Sequence, residues 1–225
     1  MIDCTIVVPV WAFDRRIHSV WKDAEAAFRA NSGGARLFVV DNGSKKPLDR
    51  ADHRFERNQG YPTAVNFGLE QADTEWIAVG SHDIIVPPGW LPPLLTDGVA
   101  SPVESGPYLT ESRRLYRGSF FGPLFVFHRS VYETVGGIDP AFPIMGDRDW
   151  AIRAFNAGFP FTLSDVEVEH RERSRGTVES TPKPERKAEE ARFKAKWQGV
   201  RGFGAWERLC SSPGGPARTG RNTIG

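Results

Sequence analysis

The sequence predicts an α/β protein: a Rossmann-like, mostly parallel central sheet flanked by helices, with a smaller and less regular region after it. Three observations predict this. The runs Thr5–Val10, Arg36–Val40 and Trp76–Val79 are apolar without polar alternation, as strands buried on both faces are. The stretches between them carry helical spacing, which makes strand–helix–strand units with right-handed crossovers. Each run also ends in a polar tip and a turn, such as Ser81-His82-Asp83 before Pro87-Pro88-Gly89, and ligands of open α/β sheets bind at strand carboxyl ends.

Taken in order, Thr5–Val10 is the first strand, and Ile17–Ala30 is a helix with Val20, Trp21, Ala24, Ala27 and Phe28 on one face. Arg36–Val40 is the second strand, Thr63–Gln71 the second helix and Trp76–Val79 the third strand. Gly98–Ser101 is expected to join the same parallel sheet. Tyr108 to Phe127 mixes aromatic and polar residues, so irregular structure is expected before a strand at Gly122–Phe127. Ser130–Val135 reads as a short helix capped at Gly136-Gly137. Asp149–Asn156 reads as a helix stopped by Gly158, Phe161–His170 as a strand, Arg171–Glu185 as a loop, and Pro184–Trp197 as a charged helix.

A chain of 225 residues with 40% hydrophobic and 25% charged residues is an ordinary globular composition. We expect a single domain over 1–200, with a ligand-binding half at 1–100 and a second half at 101–200. The extension 201–225 is rich in Gly, Ser, Pro and Arg, and its end is expected to be disordered. A net charge of +1 gives no whole-surface attraction to nucleic acid or acidic membrane. No apolar run approaches the roughly 18 residues of a membrane helix, and no secretory signal is visible. The two cysteines, Cys4 and Cys210, are far apart in sequence, and Cys4 reads as a core residue. A reducing cytoplasm is the expected location. Oligomeric state is not legible.

Several residues have the chemistry of a site. Asp41, in Val39-Val-Asp-Asn-Gly-Ser44, is placed to accept hydrogen bonds from a ribose or base, or equally to cap its own turn. Asn58 and Gly60 lead into a helix whose free N–H groups suit phosphate. Asp83 at a strand end, with His170 at another, offers ligands for a hard divalent cation that leaves places for phosphate oxygens. A structural hydrogen bond is the plainer role for a single histidine. Asp147 and Asp149 begin a helix, where they either complement its dipole or supply a general base.

In this order the motifs resemble those of the family 2 glycosyltransferases, inverting nucleotide-sugar transferases of the GT-A fold, over nearly all of residues 3–199. Thr5-Ile-Val-Val-Pro-Val10 is similar to the opening strand and Val39–Ser44 to the second-strand motif. Asn58-Gln-Gly with Ala64-Val-Asn-Phe-Gly68 is similar to N-x-G…A-x-N-x-G. Ser81-His-Asp83 stands at the D-x-D metal motif, and Gly136-Gly-Ile-Asp-Pro-Ala-Phe142 with Gly146-Asp-Arg-Asp149 resembles G-G-F-D…E-D-x-D. Phe193-Lys-Ala-Lys-Trp197 resembles a common ending. Two positions depart from the pattern: Ser81 replaces the first acid of D-x-D, and Gly146 replaces the Glu before the catalytic Asp. The Q-x-x-R-W motif of processive synthases is absent, because Gly202 follows Arg201.

The resemblance implies a GT-A glycosyltransferase that moves one hexose-type sugar from a nucleotide-diphosphate sugar, a UDP-sugar first, to an acceptor hydroxyl. It implies Pro9, Val10, Asp41, Asn58 and Gly60 around the nucleotide, and Mn²⁺ or Mg²⁺ on Asp83 and His170. Asp147 becomes the general base, Asp149 the acid that follows it, and Arg173 and Arg175 lie on a loop over the diphosphate. The acceptor stays open among a protein, a glycan, a lipid-linked sugar and a modified DNA base, with Arg113, Arg114, Tyr116 and Arg117 as candidate contacts. Ser81 and Gly146 motivate one alternative, a degenerate GT-A domain that binds without turnover. A nucleotidyltransferase is disfavoured, because Val10-Trp-Ala-Phe-Asp-Arg-Arg16 lacks the glycines of a phosphate loop.

Overall fold

The computed structural model describes residues 2–105, 120–171 and 181–200. Its elements are β1 (Cys4–Val10), α1 (Arg15–Asn31), β2 (Arg36–Asp41), β3 (His53–Arg54), α2 (Tyr61–Glu70), β4 (Trp76–Gly80), β5 (Ile84–Ile85), a 3₁₀ turn (Pro92–Leu94) and β6 (Val99–Ser105). These are followed by β7 (Leu124–His128), α3 (Arg129–Val135), α4 (Gly146–Asn156), β8 (Phe161–His170) and α5 (Lys183–Trp197).

The described strands form one mixed sheet in the order β3-β2-β1-β4-β7-β6-β8-β5. Strands β1, β2 and β4 are mutually parallel, as predicted, and the short β3, which was not predicted, pairs parallel with β2. The fourth apolar run is different. It does form β6, and its direction matches β4, but β7 is inserted between them and pairs antiparallel with both. The strand expected at Gly122–Phe127 forms β7, but its place and direction were not legible because it is as apolar as its neighbours. The line between halves expected at residue 100 therefore runs through β6.

Alternation along β1 assigns the two cores. Cys4, Ile6, Val8 and Val10 face α1, whose Ile17, Trp21, Ala24 and Phe28 form the buried stripe, together with Trp90 and Leu94. Val7 faces the other side, with Val65 and Leu69 of α2, Trp150 and Ile152 of α4, and Phe193 and Trp197 of α5. The helices start one to three residues earlier than their apolar spacing suggested. Asp14 caps α1 by accepting from the Ile17 N–H at 2.8 Å, and α4 begins at Gly146, so both Asp147 and Asp149 lie in its first turn. Gly68 lets α2 approach the sheet: a Cβ there would meet Val7 at 2.3 Å. The short strands β3 and β5 carry too few residues to show a periodicity.

Candidate active site

The two-residue strand β5 brings together the metal candidates, which are far apart in sequence. It pairs antiparallel with the end of β8, Ile84 opposite His170, and the Asp83 carbonyl accepts from the Arg171 N–H at 3.0 Å. The Asp83 and His170 side chains meet across this ladder, Nε2 to Oδ2 at 3.1 Å. On its other side His170 bonds through Nδ1 to Glu104 Oε1 of β6 at 2.9 Å. Burial works against the imidazolium, but the two carboxylates outweigh it and raise the His170 pKa to about 9. Burial likewise opposes the Asp83 carboxylate, yet the hydrogen bond from His170 holds its pKa below the usual range.

Asp83 keeps one oxygen in reserve. Its Oδ1 is buried without a hydrogen-bond partner among the described residues, as is His82 Nε2 beside it. An orphaned carboxylate oxygen fits a divalent cation, and leaving it unsatisfied is costly. Among the described residues no set of three His, Cys, Asp or Glu could hold a metal ion, so the remaining positions would fall to substrate oxygens and water.

Asp147 stands in the first turn of α4, where the helix dipole favours a carboxylate. Its Oδ1 accepts from the Arg148 N–H at 2.7 Å. Its Oδ2 lies over Gly122, where a Cβ would come within 1.8 Å of it. Only glycine permits that approach. The side chain retains some exposure, but burial still dominates its titration and raises the pKa to about 6, against the pull of Arg148. The next residue back, Phe121, sets its ring 5.9 Å from that of His170, and the Ser81 N–H donates to the Pro123 carbonyl at 2.8 Å. The segment 121–123 thus touches both the Asp83–His170 pair and Asp147.

Asp149 is placed differently. It is fully buried and faces α5: Oδ1 meets Trp197 Nε1 at 3.0 Å and Lys196 Nζ at 2.8 Å, and Oδ2 meets Arg153 Nε at 3.0 Å. Arg153 in turn donates to the Val135 and Gly137 carbonyls. Both oxygens hold structure, so Asp149 braces the helix that carries Asp147.

At the other end of the parallel row, Asp41 is also buried and internally bonded. It accepts from the Ser44 N–H at 2.8 Å and the Leu48 N–H at 3.2 Å, and pairs with Arg54. Of its two readings, this geometry is the turn cap. Pro9 and Val10 are buried in β1, with the Val10 carbonyl taken by the Asn42 N–H at 2.7 Å. The half-buried rings at that strand end are Trp11 and Phe13, 4.9 Å apart. Asn58 Oδ1 accepts from Asn42 Nδ2 at 2.9 Å and from the Gly60 N–H at 2.8 Å. Gly60, at φ 86°, starts α2 with no side-chain cap. Arg113, Arg114, Tyr116, Arg117, Arg173, Arg175, Cys210 and the extension 201–225 lie outside the described residues.

Sequence reasoning missed Glu104, Arg54 and Glu189, whose partners lie far away in sequence. It also left Asn66 without a role. Asn66 clamps α2 to the second half, giving Nδ2 to the Ile138 carbonyl at 2.8 Å and taking the Ile138 N–H at 2.7 Å. The spacing A-x-N-x-G contained that signal, since an amide amid an apolar helix face needs partners.

The family model described as glycosyl transferase family 2 matches residues 6–97. No curated protein matches the sequence. Among solved structures, a mannosyltransferase PcManGT from Pyrobaculum calidifontis in complex with GDP-Man and Mn²⁺ superposes with TM-score 0.59 at 18% identity, over 77% of this chain and 58% of that one. TarS 1–349 of S. aureus in complex with UDP-GlcNAc gives 0.58 at 10% identity, over 80% and 61%. GalNAc-T7 with UDP, GalNAc and Mn²⁺ gives 0.61 at 14% identity, over 94% and 56%. This chain therefore spans about 60% of the length of these structures. The described residues carry the GT-A fold, and residues 6–97 match the model of glycosyl transferase family 2.

Proposed function

We propose that the protein is an inverting, non-processive glycosyltransferase that moves one sugar from a nucleotide-diphosphate sugar to an acceptor hydroxyl, with Asp147 as general base. The observation that carries this reading is the segment 121–123, which joins a carboxyl group titrating near neutrality to an aspartate–histidine pair with an unsatisfied oxygen. A base near its operating pH is both ionised and basic enough to accept a proton. The acceptor oxygen attacks the anomeric carbon as the bond to the diphosphate breaks on the opposite face. Asp147 receives the hydroxyl proton, and the anomeric configuration inverts.

Asp83 would hold Mn²⁺ or Mg²⁺ through its unsatisfied oxygen, and His170 would join it only as a neutral imidazole released from Asp83; the ion when bound supplies charge neutralisation for the departing diphosphate. Trp11 and Phe13 offer apolar surface for the base, and the uncapped start of α2 offers N–H groups for phosphate. Asp41, with Arg54, serves by fixing the 41–48 turn. A UDP-sugar is the first donor to test, since two of the three neighbours described were solved with UDP or UDP-GlcNAc. The free, buried Cys4 thiol fits a reducing cytoplasm, and no described helix is long and apolar enough to cross a membrane.

The test is a thermal-shift panel of UDP, GDP, dTDP and CDP with and without Mn²⁺, on wild type and Asp83→Ala. A nucleotide at 100 times its Kd stabilises by about 2.7 kcal/mol. We expect one nucleotide to shift the midpoint only with metal, and Asp83→Ala to abolish the shift. No shift with any nucleotide overturns the donor assignment. Binding without sugar turnover favours the degenerate domain that Ser81 and Gly146 suggest.

A further inference from the structure

Glu189 is a buried carboxylate that the reaction above does not use. It lies in α5, outside the residues matched by the family model, and is 1% exposed. Its Oε1 accepts the Ile144 and Met145 N–H groups, each at 2.8 Å. Met145 is the residue immediately before α4, so a carboxylate from one helix caps the start of another. A carboxylate that accepts two backbone N–H bonds at a helix head makes strong, directional hydrogen bonds and fixes the turn it spans. The second oxygen, Oε2, is buried without a hydrogen-bond partner among the described residues.

We propose that Glu189 is a positioning residue for Asp147: it fixes the 144–145 turn that aims the base, and its negative charge strengthens the Asp147 carboxylate as a proton acceptor. The inference rests on Asp147 being the base.

The charged and titratable groups acting on Asp147 are few among the described residues. Arg148, on the same helix, favours its ionised form, and Glu189 from α5 opposes it. Tyr61 faces it from α2, with its phenol pushed up by burial and then by the Asp147 charge, so it stays neutral and adds no charge. Glu189 is therefore the strongest like charge acting on the carboxylate from the described elements. Like charges raise a carboxyl pKa. Glu189 also ties base position to the docking of α5, because the same side chain anchors the turn.

The test needs no substrate. Full-length protein labelled with ¹³Cγ-aspartate is titrated by NMR, and the Asp147 signal is identified by its loss in Asp147→Asn. Wild type should show a midpoint near 6. Glu189→Gln keeps an acceptor for the two amides, so the fold should survive while the midpoint falls by on the order of half a pH unit. Glu189→Asp retains the charge and should restore the midpoint, and Glu189→Ala should lower it and lose thermal stability as well. An Asp147 midpoint unchanged in both Glu189→Gln and Glu189→Ala overturns the proposal. The base assignment fails separately: it falls if Asp147→Asn releases UDP from UDP-glucose or UDP-N-acetylglucosamine as fast as wild type.

Discussion

Asp147 shows how a single carboxylate is made both useful and costly. The folded protein raises its pKa from the ordinary 3.8 to about 6, so ionising it at neutral pH works against folding. The sign follows from linkage: the folded state binds the proton more tightly than the unfolded chain, so this contribution favours folding below about pH 4 and is lost as pH rises through 6. Two outcomes are expected. The rate should rise with pH along an acidic limb centred near 6. Asp147→Asn should lose about 10²- to 10⁴-fold in turnover, yet at pH 7.5 it should be more stable than wild type by on the order of 2 kcal/mol, discounting for its partial exposure. Urea unfolding of both proteins at pH 4 and pH 7.5 checks the second outcome. Equal stability at pH 7.5 would mean the carboxyl is not strained toward its acid form.

At the scale of elements, what was legible depended on length and on polarity. Strands β1, β2, β4, β6, β7 and β8 were readable because a continuous apolar or alternating run of four residues or more, bounded by turn residues, matches the strand period. Asp83, His170 and Asp147 stood out as candidates because each stands at the end of an element, where polar residues have no packing role. The pairing of Asp83 with His170 was not readable, since it depends on the two-residue β5. Nor was the fate of Asp149, whose surroundings come from α5, some 48 residues later. From its position alone it resembles Asp147; its contacts make it the brace between α4 and α5. Asp149→Ala should therefore strand Arg153, Lys196 and Trp197 Nε1 and destabilise by about 3 kcal/mol, at the low end for a broken buried pair because Arg153 and Lys196 are partly exposed. The loss should appear in chemical denaturation. If Asp149→Ala kept wild-type stability but lost turnover, Asp149 would belong among the reacting groups instead.

For the whole molecule, the decisive feature is the insertion of β7. Residues 124–128 lie between β4 and β6 in the sheet, so the nucleotide side is not closed by its own strands. Phe125 and Phe127 of β7 pack against Trp150 of α4 at ring distances of 5.2 and 4.8 Å, and Asn66 fastens α2 to Ile138. The sheet, the aromatic layer and the amide clamp each cross between the first and second halves. No half can keep its apolar faces covered after the other has unfolded, and exposing them is far costlier than the ordinary margin of stability. The full chain should then unfold in one cooperative step, with calorimetric and van't Hoff enthalpies equal and with far-UV circular dichroism and tryptophan fluorescence coincident. A nucleotide bound at the carboxyl ends of β1 and β4 should raise that one transition intact, without splitting it. Two separable transitions, with only the first responding to nucleotide, would show that the halves are independent units and that Asp147 on α4 is not rigidly tied to the carboxyl ends of β1 and β4.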